Sequence, residues 1–238
     1  HLLAISLPMK NLALVEKMGF DEVMVPCSAC YAQFKAAQKE IAENQELKAE
    51  IEEIIEEKIG KEIKVLHPLE VLSRKEALEK LPGLAKKDLS NIKVACYYGC
   101  LLVRPPKVTK FEDECEYPMT MDNILRAVGI PTVDWSYKTE CCGGSFSTTK
   151  PEIVVKLSKR VFDDARANGA DAIANPCIFC QMNLDSREKD IEKKYSEKYQ
   201  IPVFYFTQLV ALALGVPEKE LFFNRHFVSP AKVLQKVA

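Results

Sequence analysis

The chain has 238 residues, 47% of them hydrophobic, a formal net charge of -1 and nine cysteines. That length can enclose one large domain or two small ones, and nothing in the near-neutral charge suggests a general affinity for nucleic acid or an anionic membrane surface. No apolar run approaches the roughly 20 residues that span a bilayer, so no stretch of these residues reads as an integral membrane segment.

No secretory signal is visible, although the first residue is His1 rather than Met. Nine cysteines in a chain rich in Lys and Glu differ from a secreted disulfide scaffold, which is usually short with an even Cys count. The expected setting is a reducing, cytoplasmic compartment in which thiols are reserved for metal.

Residues 1–19 read as an amphipathic helix with Leu7, Leu12, Leu14, Val15 and Met18 on its apolar face, closed by Gly19. Asp21–Pro26 reads as a short buried strand, followed at once by Cys27-Ser-Ala-Cys30 and a long helical stretch from about Tyr31 to Ile59. The charges of that stretch are mixed in sign and form a solvated face. Glu62–Leu66 is a second strand, and His67 opens another helix with Pro68 in its first turn. Residues 73–91 are charged, contain Pro82 and Gly83, and read as a linker.

Ile92–Cys96 is a strand leading through Tyr97, Tyr98 and Gly99 into Cys100. Residues 101–118 read mostly as loop, 119–127 as helix, Ile130–Trp135 as strand and Cys141-Cys-Gly-Gly144 as loop. A helix from about Pro151 to Asn168 leads to strand Asp171–Pro176 and to Cys177-Ile-Phe-Cys180. A further helix, the strand Val203–Phe206 and a helix from Thr207 complete the regular part. Short strands alternating with helices imply an α/β fold with parallel sheets.

Gly19, Asp21, Pro26, Cys27 and Cys30 recur as Gly169, Asp171, Pro176, Cys177 and Cys180 at a constant offset of 150. His67–Leu72 has a counterpart in Thr207–Leu212 at a slightly shorter offset. The chain therefore reads as an internal duplication, divided into a first domain at 1–82 and a second, complete one at 83–238. At the same offset, counterparts of Cys100, Cys141 and Cys142 fall before His1. The expectation is a first domain lacking its N-terminal part, with another Cys-Cys pair about ten residues upstream of His1 in the full gene product.

A strand ending in Pro-Cys-x-x-Cys puts two thiols at the carboxyl end of a parallel sheet, where open α/β sheets bind ligands. Helix N-terminal N–H groups there favour thiolates. Neighbours such as Cys141 and Cys142 rarely chelate one metal together but can serve different irons, and Gly143 and Gly144 let the backbone approach an inorganic core. A structural zinc takes four ligands, commonly as two close pairs, whereas the second half offers Cys100, Cys141, Cys142, Cys177 and Cys180. The compact run of a bacterial ferredoxin cubane is absent, and a thioredoxin-like redox pair does not account for two C-x-x-C copies plus Cys-Cys. Iron–sulfur ligation is the favoured reading, with zinc and redox thiols as alternatives.

Cys100-x(40)-Cys141-Cys142-x(34)-Cys177-x-x-Cys180, with a second C-x-x-C at Cys27 and Cys30, resembles the cysteine-rich CCG domain found in the B subunit of heterodisulfide reductase. Tyr98-Gly99-Cys100, Arg104-Pro105, Asn175-Pro176-Cys177 and the closing His226–Pro230 segment carry the likeness across essentially the whole chain, while Leu101 stands where relatives often have His. The resemblance implies two tandem, duplicated, Rossmann-like CCG domains with cysteines at strand carboxyl ends. It also implies two noncubane 4Fe–4S clusters, each held by five cysteines. Cys100, Cys141, Cys142, Cys177 and Cys180 would hold the second cluster and serve catalysis through it, and Cys27 and Cys30 would belong to the first.

The implied reaction is reduction, between the clusters, of a disulfide of two small thiols such as coenzyme M and coenzyme B in methanogenesis. The implied partners are the ferredoxin-like C subunit and the flavoprotein A subunit of the same complex, since the chain has no flavin or nucleotide loop of its own. Alternatives are a quinone-linked subunit oxidising lactate, glycolate or succinate, a sulfur-oxidising relative, and a non-catalytic electron relay. Arg104, Lys107 and His226 are candidates for binding the acidic groups of the substrate, against solvated surface as the plainer reading. Cys96 reads as a buried apolar thiol, and His67 as a residue that caps or packs.

Overall fold

The computed structural model describes residues 1–237. The first half runs α1 (Leu2–Lys17), β1 (Glu22–Met24), α2 (Ser28–Glu43), α3 (Gln45–Ile55), β2 (Lys64–Leu66), α4 (Pro68–Leu72) and α5 (Lys75–Leu84). The second runs β3 (Val94–Cys96), α6 (Pro106–Thr109), α7 (Thr120–Ala127), α8 (Pro151–Ala167), β4 (Ala172–Asn175), α9 (Ile178–Tyr195), β5 (Val203–Tyr205), α10 (Phe206–Ala213) and α11 (Ala231–Leu234). Both sheets are parallel: β1 pairs β2, and β4 lies between β3 and β5. These are two tandem Rossmann-like units, as the α/β alternation requires.

The three-stranded sheet is buried on both faces, and strand alternation decides which residue meets which core. Val94, Cys96, Ala172, Ala174 and Phe204 face a core that includes Ile5, Val65 and Leu69 of the first half. Ala95, Tyr97, Ile173 and Val203 face the opposite way, onto Trp135, Phe162 and Leu184. One apolar core therefore runs through both halves.

Several sequence expectations are corrected. The buried stripe of α1 is Ile5, Met9, Leu12 and Ala13, while Leu7 and Met18 are 60% and 70% exposed, so this helix is apolar on two sides. Strand β1 is not buried: Glu22 and Met24 face solvent on the edge of its sheet. The expected helix from Tyr31 to Ile59 is broken at Asn44, whose side chain accepts the Leu47 N–H at 3.0 Å and restarts it as α3. The expected linker at 73–91 contains helix α5, which carries Pro82 near its end.

Ile130–Trp135 is not a full strand. It contributes one bridge, Thr132 with Val94, because Pro131 has no N–H to extend the ladder. The counterpart of His67 is Tyr205 rather than Thr207. Each ends a strand and caps the next helix, with its own N–H held by the side chain three residues on, Glu70 at 2.6 Å and Gln208 at 3.0 Å.

Candidate metal centre

Strands β3 and β4 lie side by side and parallel, so the segments that follow them emerge at the same sheet edge. After β4, Asn175 shapes the turn. Its Oδ1 accepts the Cys177 N–H at 3.1 Å, and its Nδ2 donates to Phe204 O at 3.1 Å and Gln181 Oε1 at 2.7 Å. Cys177 then stands at the N-cap of α9, and Cys180 lies in its first turn. After β3, Tyr98 N–H and Gly99 N–H both donate to Lys138 O, at 2.7 and 3.1 Å, which folds the Cys100 loop against residues 138–142.

Buried polar groups hold this loop pair. The Lys138 ammonium, 1% exposed, donates to Asp122 Oδ2 at 2.9 Å, and the Tyr98 hydroxyl donates to the same oxygen at 2.8 Å. From α9, the buried Asn183 donates to Cys142 O at 2.7 Å and accepts the Ser147 hydroxyl at 2.9 Å. Lys138, Asp122 and Asn183 lie among other polar residues in the sequence, which has no signature that singles them out as buried. Gly99 has a φ of +69°, and a Cβ there would lie 3.1 Å from Cys180 Sγ. At Gly143 the φ is +79° and a Cβ would press on Leu157 and Val154 of α8, so this glycine serves helix packing. Gly144 has only ordinary contacts around it.

Cys100, Cys141, Cys142, Cys177 and Cys180 line one cavity of about 180 Å³, together with Tyr98, Leu101, Phe179 and, from the start of α2, Ser28 and Ala29. The thiols meet in pairs. Cys142 Sγ and Cys180 Sγ are 3.6 Å apart, Cys100 contacts Cys141, and Cys177 contacts both Cys180 and Cys27. Cys27 is thus brought against the second half's set, whereas Cys30, on the exposed side of α2, does not line the cavity.

Within each contact one thiol's pKa is lowered and its neighbour's is raised. The Cys100 thiol beside it and the Gly143 N–H lower the pKa of Cys141 to about 6. Cys142 is lowered by the Cys180 thiol and the Gly144 N–H. Cys177 is lowered strongly by the Cys180 and Cys27 thiols and by N–H groups of the first turn of α9. The partners Cys100, Cys180 and Cys27 are raised, first by the same thiol contacts and then by burial.

Among the described residues, no three of His, Cys, Asp and Glu converge as a site for a single metal ion. Five sulfurs instead surround a space about six times a water's roughly 30 Å³ share of the liquid. This arrangement does not suit one four-coordinate zinc, and it fits a group with several metal atoms.

The three substrate-binding candidates lie elsewhere. Arg104 pairs with Glu116 and donates to Thr139 O at 2.8 Å, so it staples the Cys100 loop rather than facing the cavity. Lys107 lines a separate cleft of about 430 Å³ beside α1 and α2. His226 packs on Phe204 and Phe223 with Nε2 3.1 Å from Gln208, and burial lowers its pKa. Cys96 is fully buried.

Residues 2–35 and 94–185 match the model of the cysteine-rich (CCG) domain. The chain is 31% identical over 239 residues to the B subunit of the ferredoxin/F420H2-dependent CoB-CoM heterodisulfide reductase of Methanosarcina acetivorans, covering 98% of this chain and 78% of that protein. It is 32% identical over 227 residues to the 8-methylmenaquinol:fumarate reductase membrane anchor subunit of Wolinella succinogenes, covering 94% and 78%. A crystal structure of a hypothetical protein from Helicobacter pylori superposes with a TM-score of 0.74 at 13% identity, over 94% of this chain and 41% of that one, a likeness of fold.

The family match and the reductase-subunit relatives place this fold, with its cysteines gathered in one cavity, among oxidoreductase subunits of the iron–sulfur class. The chain belongs to the cysteine-rich CCG domain family and is a homologue of the heterodisulfide reductase B subunit. Among the described residues, no helix is long and apolar enough to cross a membrane.

Proposed function

We propose that the chain is the iron–sulfur catalytic subunit of a heterodisulfide reductase complex, in which a disulfide of two small thiols takes up two electrons and two protons to give both thiols. The observation that carries this reading is the single cavity lined by Cys100, Cys141, Cys142, Cys177 and Cys180, with Cys27 of the other half touching Cys177. Those five cysteines would hold a noncubane 4Fe–4S cluster, and Cys27 and Cys30 would belong to a second, the two sets representing tandem domains at 1–82 and 83–238. Iron–sulfur groups bound there supply single electrons and soft iron sites with affinity for sulfur.

The chain's own residues prepare that chemistry. The N–H groups at Gly143 and at the first turn of α9 stabilise negative sulfur. Leu101, Phe179 and the Tyr98 ring make the wall apolar, which limits water around the thiolates. Leu101, Phe146, Ile178, Phe179 and Met182 are exposed beside the cysteines. This apolar rim suits burial by a partner, in this reading the ferredoxin-like C subunit fed by the flavoprotein A subunit, in a soluble cytoplasmic complex.

The Wolinella relative favours a second reading, a quinone-linked oxidoreductase with the same cysteine set. The test is anaerobic reconstitution with iron and sulfide, then assay with a heterodisulfide and reduced viologen, and with a quinol and dye. The expected result is bound iron and sulfide that Cys142→Ala lowers, with viologen oxidation dependent on the disulfide. Zinc in place of iron refutes the cluster, and quinol oxidation without disulfide reduction selects the second reading.

A further inference from the structure

The carbonyl groups that precede the two C-x-x-C turns are met by side chains from opposite halves of the chain. Pro176 O lies 3.0 Å from His67 Nε2 and accepts the Ser28 hydroxyl at 3.3 Å. Pro26 O accepts the Tyr205 hydroxyl at 2.8 Å. Both carbonyls stand just outside the helical ladder, since the first bonds of α2 and α9 run to Cys27 O and Cys177 O, each at 2.8 Å. The Pro176 carbonyl is buried and needs partners, whereas the Pro26 carbonyl is exposed, and in both cases the partner comes from across the duplication.

The two contacts are counterparts. His67 and Tyr205 occupy the same place in their units, at a strand end and a helix N-cap. His67 is fully buried and its ring is fixed edge-on to Tyr31 and Phe111. Its Nδ1 accepts the Leu69 N–H at 3.2 Å, which assigns the proton to Nε2 and makes that atom the donor to Pro176 O.

We propose that His67 and Tyr205 are reciprocal positioning residues, by which each half helps to orient the peptide that leads into the other half's C-x-x-C turn. Reorienting the Pro176–Cys177 peptide redirects the Cys177 sulfur, which touches Cys180 in its own half and Cys27 in the other. The two cysteine sets therefore act as one mechanical unit, and a change in one half is felt by the sulfurs of the other. The effect on a bound cluster rests on the function proposed above, whereas the effect on the bare thiols does not.

The experiment uses the whole chain, reduced and free of metal, with iodoacetamide alkylation of each cysteine followed by peptide mass spectrometry. Asn at position 67 keeps an acceptor where Nδ1 sits but does not reach Pro176. Gln places an amide N–H near the Nε2 position. His67→Asn should raise the alkylation rate of Cys177 about fivefold, the population ratio that one net hydrogen bond represents, and His67→Gln should bring it back. Tyr205→Phe, in the second half, should raise the rate at Cys27, with thermal melts followed by circular dichroism confirming that the chain is folded. After reconstitution, His67→Asn should change the EPR line positions at unchanged iron content. Equal Cys177 rates in His67→Asn and His67→Gln, or a Tyr205→Phe chain with parental Cys27 reactivity, overturn the proposal. Failure of every chain to bind iron refutes the proposed function and leaves the alkylation result to decide this one.

Discussion

Lowering the pH from 7 to 5 should destabilise the chain through one buried side chain, His67. Burial lowers its pKa from 6.5 to about 4, against a smaller opposing effect of the Pro176 carbonyl. In the unfolded chain the ring titrates at the ordinary value, so between these limits the unfolded state binds the extra proton. A depressed histidine therefore costs nothing above about pH 6.5, and it costs progressively more as pH falls through the interval. The whole interval represents about 3 kcal/mol, of which roughly 2 kcal/mol is spent between pH 7 and pH 5. The structural reason is direct: protonation puts a second N–H at Nδ1, facing the Leu69 N–H it now accepts.

Urea unfolding of the reduced, metal-free chain at both pH values measures the loss. His67→Gln supplies the reference, because it cannot take up a proton in this range. Other titrating groups, such as His226 (lowered by burial) and Asp185 (raised by burial), contribute to both chains and cancel in the comparison. The parent should lose about 2 kcal/mol more than His67→Gln between pH 7 and pH 5. Equal losses would refute the assignment of a buried neutral imidazole.

Two further substitutions separate buried from exposed electrostatics, and a third tests the glycine beside the cavity. Asp122→Ala leaves the Lys138 charge buried without its carboxylate and should cost about 3–5 kcal/mol in denaturant unfolding. Glu197→Ala removes an exposed partner of Lys159 and Arg166 and should leave the denaturant midpoint nearly unchanged. Gly99→Ala combines a left-handed backbone with a Cβ 3.1 Å from Cys180 Sγ. It should cost about 1–2 kcal/mol and lower iron retention, and parental values of both would show that the Cys100 loop yields freely.

The likeness to both a disulfide-reducing and a quinol-linked subunit has a physical counterpart in the cavity. Five cysteines and an apolar wall line the cavity, and among the described residues that line it none is charged. Arg104 is spent on Glu116 and Thr139.

The sequence by itself determined the class of fold, the duplication and the grouping of five cysteines. These are local properties: a strand running into Pro-Cys places its thiols at a helix N-terminus wherever the unit sits, and an offset of 150 is visible without coordinates. Only the tertiary structure decided which long side chains reach the cavity, because packing gives Arg104 and His226 partners elsewhere and sets Lys107 on a separate cleft. It also decided that Asn44 divides the expected long helix and that the charged stretch after residue 73 contains α5, contests between local propensity and burial. Above all it set Cys27 against Cys177 and matched His67 with Tyr205 across the two halves. Those contacts join residues more than one hundred positions apart, through hydrogen bonds whose geometry arises from how two sheets pack and leaves no period in the chain.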